Sequence, residues 1–308
     1  MPRKLTEPVF DTMAVVGVGL IGGSLGMAAK EYGAVRRVIG IGRNEQKLMK
    51  AKLLGAVDDY SLDFATGARE SDLVVIATPV RTIIPTLELM APNLKSGTII
   101  TDVGSTKREI VEQAVNVTPR GCSFVGGHPM AGSDESGVEH AFPGMFIGAT
   151  YVLTPTTQTS LDAIQKMSRF IDAIGARVEV MTPEEHDAAV ALISHLPHAL
   201  SAALLHTIMK PSLGSVSERK AQNLNSAQVL RLAAGSFRDL TRISNSPPEI
   251  WRDICLTNAG EIIRAIELLK RNLEKLEQAI IDRDEERVTR FFEEARQVRQ
   301  AHLRSSEK

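Results

Sequence analysis

The sequence predicts an α/β domain built on a parallel, helix-covered sheet, followed by a mostly α-helical domain. Two observations predict it. Between Thr12 and about Phe124, short β-branched runs (MAVVGVG, RVIGIG, LVVIATPV and GTIITDVG) alternate with longer amphipathic stretches, the pattern of repeated βαβ units. Beyond Ser160 helical periodicity takes over, interrupted only by ARVEVMT and by residues 211–228, a polar stretch expected to be a mobile loop. The length, 308 residues, suits two domains. Strand-like runs at residues 123–125 and 149–153 extend the sheet before Thr154-Pro155 and the polar TTQTS. The boundary is expected there, dividing the chain into 1–157 and 158–308.

Each half carries its own signature. In the first, Gly17-Val18-Gly19-Leu20-Ile21-Gly22 follows the strand MAVV and opens the apolar helix of residues 23–30. Gly17 permits a tight turn, Gly19 lets the backbone approach a pyrophosphate, and Gly22 lets helix and strand pack closely. With Leu20 and Ile21, the helix start offers free N–H groups and a positive dipole end to phosphates. This is the context of a Rossmann-type dinucleotide-binding domain. In the second half Ile262, Ile266, Leu269, Leu273, Leu276 and Ile280 form a seam with alternating spacings of four and three. Such a seam serves either an intrachain core or a subunit interface. Asp284 is placed to cap a last helix carrying Val288, Phe291, Phe292 and Ala295.

Composition excludes several functions. A hydrophobic share of 43% and a charged share of 24% are ordinary for a globular protein. The 36 basic and 37 acidic residues balance, so no global field favours nucleic acid or an acidic membrane surface. Any anion must be met by local groups. Cys122 and Cys255 are too few for a disulfide framework and read as two buried thiols in a reducing compartment. The N-terminus, MPRKLTEPVFDT, has no signal-like apolar core, and glycines break the apolar stretch that follows it. A soluble, cytoplasmic protein is expected.

The strand VIGIG ends at Gly42, where an NAD enzyme usually supplies an acid for the ribose 2′-hydroxyl; here Arg43 and Asn44 follow. An arginine there pairs naturally with the 2′-phosphate of NADP. NADP or NAD is therefore the expected cofactor, with NADP favoured, the alternative being a solvated arginine in an enzyme that uses either. Thr78 and Pro79, and Thr101-Asp102-Val103-Gly104-Ser105, end two further strand runs. Ligands of open α/β sheets bind at such carboxyl ends.

A second loop carries proton chemistry. Gly127-His128-Pro129-Met130-Ala131-Gly132-Ser133 fixes one histidine among small residues. Imidazole titrates near neutrality, so His128 is suited to take a proton from an alcohol while hydride leaves the same carbon. Alone, a loop histidine is more often structural.

Taken together, GVGLIGGS, ATPV, TDVGSTK, GGHPMAGSDESG, VLTPT, SHLPHALSAAL and FRDLTRISNSPPEIWRDI, in this order over about residues 12–300, resemble the prephenate/arogenate dehydrogenase family of tyrosine biosynthesis. The resemblance implies oxidative decarboxylation of a cyclohexadienol, without a metal, in a homodimer built through the helical domain. It puts the catalytic histidine on His128 and its partner serine on Ser105. Substrate-binding positions fall on His198, Arg242, Ser133 and Trp251. His195 and His198 share an apolar helix, so both also read as core histidines. His186 reads as a cap or a further member of the site, and Asp134 as a partner for the ammonium of arogenate. Arg242 alternatively pairs with Asp239 or Asp253. No mutase-like domain is expected before residue 12 and no regulatory domain after residue 300.

Two rivals remain at this stage. A β-hydroxyacid-type dehydrogenase would need a lysine in the interdomain helix, where Lys166 stands without a glycine-rich lead. A non-catalytic NADP-sensing module would have no use for His128, Ser105 and Arg242 together.

Overall fold

The computed structural model describes residue 2 and residues 4–133, 135–209 and 226–306. The chain first lays down β1 (Phe10–Val16), α1 (Leu20–Glu31), β2 (Val35–Ile41), α2 (Glu45–Leu53), β3 (Asp59–Ser61), α3 (Phe64–Arg69), β4 (Leu73–Ile76), α4 (Ile83–Met90), β5 (Ile99–Asp102) and α5 (Arg108–Val117). It continues with β6 (Ser123–Pro129), β7 (Thr150–Thr154), α6 (Leu161–Ala173) and β8 (Arg177–Val180). The strands form one sheet in the order β3-β2-β1-β4-β5-β6-β7-β8. All pairings are parallel except β6 with β7.

The strands look as they do because helices cover both faces. The central strand β4 (LVVI) is buried at every position, hence a continuous apolar run with no alternation. On one face Leu25, Ala28 and Tyr32 of α1 join Met167, Phe170 and Ile171 of α6 in a core with Phe10 and Met13. On the other, Ile83, Leu87 and Met90 of α4 join Ile110 and Val111 of α5 over Ile76 and Ile100. The order reverses beside β1, so β1 and β4 flank the switch point at which ligands of such sheets bind.

The sheet continues past residue 157. Ser160 caps α6 by accepting from the Ala163 N–H at 3.2 Å, and Phe170 meets Phe10 edge-on with ring centroids 6.1 Å apart. β8, the ARVEVMT segment, then pairs in parallel with β7. TTQTS is thus the lead into a crossover helix on the sheet, not a linker leaving it. β3, a three-residue edge strand, escaped sequence reading because it is too short to show alternation.

A helical run follows. α7 (Pro183–Val190) opens on a capping box made by Thr182 and Glu185. A π-helical turn, Ala191–His195, joins it to α8 (Leu196–Met209). Residues 211–225 of the expected loop, and Asp134, lie outside the described residues. After these come α9 (Ser226–Leu230), α10 (Gly235–Thr241), a 3₁₀ turn over Arg242–Asn245, and α11 (Pro248–Thr257). Cys122 is half-buried, packed against the core on the α4–α5 side of the sheet, and Cys255 is exposed, which corrects the reading of both as buried thiols.

The chain divides into two compact units, Met1–Ala259 and Gly260–Lys308. The second is made by α12 (Ala259–Ile281), nearly all of which lies in it, and α13 (Glu285–Ser306). Asp284 caps α13 by accepting from the Arg287 N–H at 3.0 Å. Within the predicted seam Ile262 is buried, whereas Leu273 and Ile280 stay 50% and 58% exposed.

Candidate active site

The glycine turn leaves β1 at the switch point. Gly17 has φ +88°, and a Cβ there would stand 2.6 Å from the Ala77 carbonyl oxygen, so only glycine fits. A Cβ on Gly22 would stand 2.4 Å from the Gly17 oxygen. Gly19 is different: nothing lies within 4 Å of where its Cβ would be. It is the N-cap of α1, with no side-chain cap and no acid in the first turn. The helix thus begins at Leu20 and Ile21 with open space beside Gly19 and no acid in its first turn, which suits a diphosphate.

Thr78 follows β4 and supplies the opposite wall. Its hydroxyl oxygen is buried with no hydrogen-bond partner among the described residues, and its methyl would lie 3.1 Å from a Cβ on Gly17. Pro79 starts the exposed turn into Val80–Thr82. A glycine cradle and an orphaned hydroxyl at one strand end fit a dinucleotide. Arg43 is exposed beyond β2, next to Asn44, whose side chain caps α2 by accepting from the Lys47 N–H at 3.0 Å. No carboxylate precedes α2 on this loop: Gly42, Arg43 and Asn44 fill it.

His128 sits near the end of β6, half-buried. Its Nδ1 lies 2.8 Å from Nε2 of His186, the two rings meeting edge to face at 5.1 Å. His186 Nδ1 lies 2.8 Å from Oδ1 of Asp187. That carboxylate also accepts from the N–H groups of Lys107, at 2.7 Å, and Arg108, at 3.0 Å, which are the start of α5. His186 and Asp187 are 1% and 2% exposed. Burial, with His186, Lys107 and His195 nearby, holds the His128 imidazole well below its ordinary value.

Beneath this array Lys107 pairs with Asp102, both fully buried. Asp102 also accepts from the Gly104 N–H at 2.8 Å and the Gly127 N–H at 3.2 Å. The pair thus ties the end of β5 to the residue before His128. Ser105, half-buried, lies in the same β5–α5 turn between Asp102 and Lys107.

The helical side contributes an aromatic wall. His198 stacks on Trp251 with centroids 3.8 Å apart and planes 26° apart, and its Nδ1 donates to the Ser194 carbonyl at 2.9 Å. Trp251 Nε1 is buried without a partner among the described residues. His195 meets Trp251 edge-on at 6.2 Å and accepts from the Asn258 side-chain amide at 3.3 Å. Burial, partly offset by Asp187, holds His195 at about 4, so it stays neutral at ordinary pH. Arg242 is exposed at the head of its 3₁₀ turn. That turn is tied to α8 through Ser244 and Ser201, whose hydroxyls are 2.6 Å apart. Asp253 pairs with Arg252 at 2.8 Å. Ser133 is exposed, its hydroxyl accepting from the Glu135 N–H at 3.2 Å.

Sequence reading named His186 only as a possible adjunct and missed Asp187, Lys107, Asp102 and Asn258. The signal was present in TDVGSTK and in the His-Asp pair of EEHDAA. The partnership between the two is long-range, and periodicity does not reveal it.

A doubly covered parallel sheet, a glycine cradle at its switch point and a histidine near the carboxyl end of β6 in the same sheet define the class of nicotinamide-dependent dehydrogenases. Comparison with known proteins narrows the class. The model of the prephenate dehydrogenase nucleotide-binding domain matches residues 25–180, and that of the prephenate dehydrogenase dimerization domain matches residues 182–294. The chain belongs to the prephenate dehydrogenase family. It is 38% identical to the prephenate dehydrogenase of Bacillus subtilis over 290 residues, 94% of this chain and 75% of the relative. It is 33% identical to the cyclohexadienyl dehydrogenase of Zymomonas mobilis, covering 95% of this chain and 96% of that one. Among solved structures it resembles Aquifex aeolicus prephenate dehydrogenase in complex with hydroxyphenyl propionate and NAD+, with TM-score 0.85, 32% identity and coverage of 94% and 98%. Synechocystis arogenate dehydrogenase is similar at TM-score 0.80 and 30% identity, covering 94% of this chain and 99% of that one.

Proposed function

We propose that this chain converts prephenate to 4-hydroxyphenylpyruvate by oxidative decarboxylation, in the cytoplasm, as a step toward tyrosine. The observation that carries the reading is His128, held by buried partners near the end of β6 in the same sheet as a dinucleotide cradle. NAD(P)+, when bound, supplies the hydride acceptor. Gly17, Gly19, Leu20, Ile21, Gly22, Thr78 and Pro79 would hold it, and Arg43 would meet a 2′-phosphate, favouring NADP.

The remaining chemistry belongs to the side chains. His128, uncharged at neutral pH because of its surroundings, has a lone pair with which to take the proton of the ring hydroxyl. Losing that proton turns the hydroxyl carbon into a ketone as hydride departs. The ring carboxylate on the opposite carbon then leaves as carbon dioxide, its bonding electrons passing into the ring to give an aromatic phenolate, and the proton held by His128 returns to that oxygen to give the phenol. Ser105 orients the hydroxyl, Arg242 meets a substrate carboxylate through its guanidinium fork, and His198, Trp251 and Ser133 line the substrate.

The domain division of the sequence reading, residues 1–157 for the dinucleotide and 158–308 for substrate and dimer contacts, belongs to the same proposal, corrected in that α6 and β8 complete the sheet of the first part. A homodimer is favoured by the match to a dimerization domain and by the exposed apolar side chains Ile263, Leu273, Ile280 and Phe292. The run Pro183–Met209 is long and apolar enough to cross a membrane, but it carries the buried His186 and Asp187 against α5, a role that requires it inside a folded domain.

One pair of assays tests the function. Initial rates on prephenate and arogenate with both cofactors should favour prephenate and NADP, and His128→Asn should lower kcat by roughly 10²–10⁴ with cofactor binding retained. Turnover of arogenate alone would reassign the substrate. A His128→Asn enzyme with near-normal kcat would remove the base.

A further inference from the structure

We propose that Asp187 and His186 are positioning residues that fix the tautomer of His128, so that its Nε2, and not its Nδ1, is the atom that takes the substrate proton. The inference rests on the assignment of His128 as the base. It follows from which atoms can donate. The Asp187 carboxylate already accepts from two N–H groups at the start of α5, one on each oxygen. It can only accept, so the proton between it and His186 is on His186 Nδ1. A neutral His186 then presents a lone pair at Nε2, and the 2.8 Å contact requires His128 to donate from Nδ1. His128 Nε2 is left as the acceptor.

The alternative arrangement is unfavourable on each count. If His128 carried its proton on Nε2, two lone pairs would face each other at 2.8 Å unless His186 carried a proton on both nitrogens. His186 is 1% exposed and has one carboxylate partner. Asp187 is held from several sides: by α5, and by Asn258, whose amide donates to its backbone oxygen at 2.8 Å. Among the described residues, the other charged or titratable groups around His128 are Lys107 and Asp102 in the β5–α5 turn, His195 in the π-helical turn and Tyr151 on β7. None of them receives the His128 Nδ1 proton.

The array also links the two ends of the site. Asp187 closes the N-terminus of the helix that follows Ser105, while His186 orients the base itself. A shift of α5 would therefore be felt at His128 through three successive hydrogen bonds. An arrangement of this kind lets a base be uncharged, oriented and desolvated before substrate arrives, so no reorganisation accompanies the reaction.

The tautomer can be read without turnover. In protein labelled with ¹⁵N-histidine, with His128 assigned by its loss in His128→Asn, long-range ¹H–¹⁵N spectra at neutral pH should report a protonated Nδ1 and an unprotonated Nε2. Asp187→Asn supplies an amide that can donate to His186 Nδ1 and so reverse both rings; a comparable tautomer reversal elsewhere costs about 10⁴. Here kcat should fall at least about tenfold, with cofactor Kd and substrate KM within about threefold, since the binding groups are untouched. His186→Gln, whose side-chain oxygen can still accept from His128, should retain roughly ten times the kcat of His186→Leu. An Nε2-protonated His128 in the wild type would overturn the proposal whatever the variants do. So would His186→Leu and Asp187→Asn enzymes with kcat within about twofold of wild type while His128→Asn is impaired. A fully active His128→Asn would instead remove the base assignment and leave the tautomer result as a separate fact.

Discussion

Replacing Lys107 with methionine keeps the length of the side chain and deletes its charge, leaving the Asp102 carboxylate buried without its cation. Both side chains are shielded from solvent. Losing one partner of such a pair costs about 3–5 kcal/mol, because the other charge stays in a medium that solvates it poorly. Asp102 would keep two donors, the N–H groups of Gly104 and Gly127, which argues for the lower end, about 3 kcal/mol. At about 2–4 °C per kcal/mol for a chain of this order of size, the melting temperature should drop by roughly 6–12 °C. Adding Asp102→Asn removes the orphaned charge while its side-chain oxygen still accepts from one backbone N–H. The double variant should then lie within about 2 kcal/mol of wild type, a coupling of at least ~2 kcal/mol between the sites. Urea midpoints at constant slope and fixed protein concentration measure it. If Lys107→Met costs under about 1 kcal/mol, or the two single losses simply add in the double, the pair is not the buried charge couple described here.

Other variants probe the remaining links. Arg43→Asp should reverse the cofactor preference from NADP to NAD in kcat/KM; an unchanged NAD preference would make Arg43 a surface residue. Arg242→Gln should raise KM for prephenate about tenfold or more, from losing a charged partner of a carboxylate, with cofactor Kd unaltered; an unchanged KM with a lower Tm would make it structural. Gly22→Ala should weaken cofactor binding at least about tenfold, because its Cβ would meet the Gly17 oxygen at 2.4 Å and push α1 from the turn; titration of the intrinsic Trp251 fluorescence reads this, and a Kd within twofold would dismiss the cradle. His195, held at about 4 against an ordinary 6.5, is protonated in the unfolded chain before it is in the native one. Its contribution is therefore whole above about pH 6.5 and lost as pH falls toward about 4, at most roughly 3 kcal/mol. Melting temperatures across that range should fall less steeply for His195→Gln than for wild type, and parallel curves would contradict the assignment.

The parallel sheet was legible because β1, β2, β4 and β5 are buried runs bounded by glycine or proline, and because Gly17 to Gly22 follow a strand. Residues 158–180 were harder. Their strand, RVEV, is mostly exposed, so it shows neither alternation nor a long apolar run, and the polar lead to α6 reads like a linker. At the site, His128 and the SHLPH histidines were visible as motifs. The pairing of Asp187 with the start of α5 spans 80 and 79 positions, a relation that local patterning cannot carry.

The π-helical turn at Ala191–His195 has a geometric consequence. Successive residues of an α-helix advance by about 100°, so twelve steps from His186 to His198 would leave the two rings about 120° apart around the axis. A single π turn absorbs one residue without advancing the helix, which returns the angle to about 20°. The wide turn thus acts as a phase correction, bringing the histidine that touches the base and the histidine stacked on Trp251 onto the same side of one continuous rod. Removing one residue from Ala191–His195 would restore an unbroken α-helix and leave the two histidines on the same side, whereas adding one between His195 and His198 would swing His198 by about 100° away from the indole it lies against.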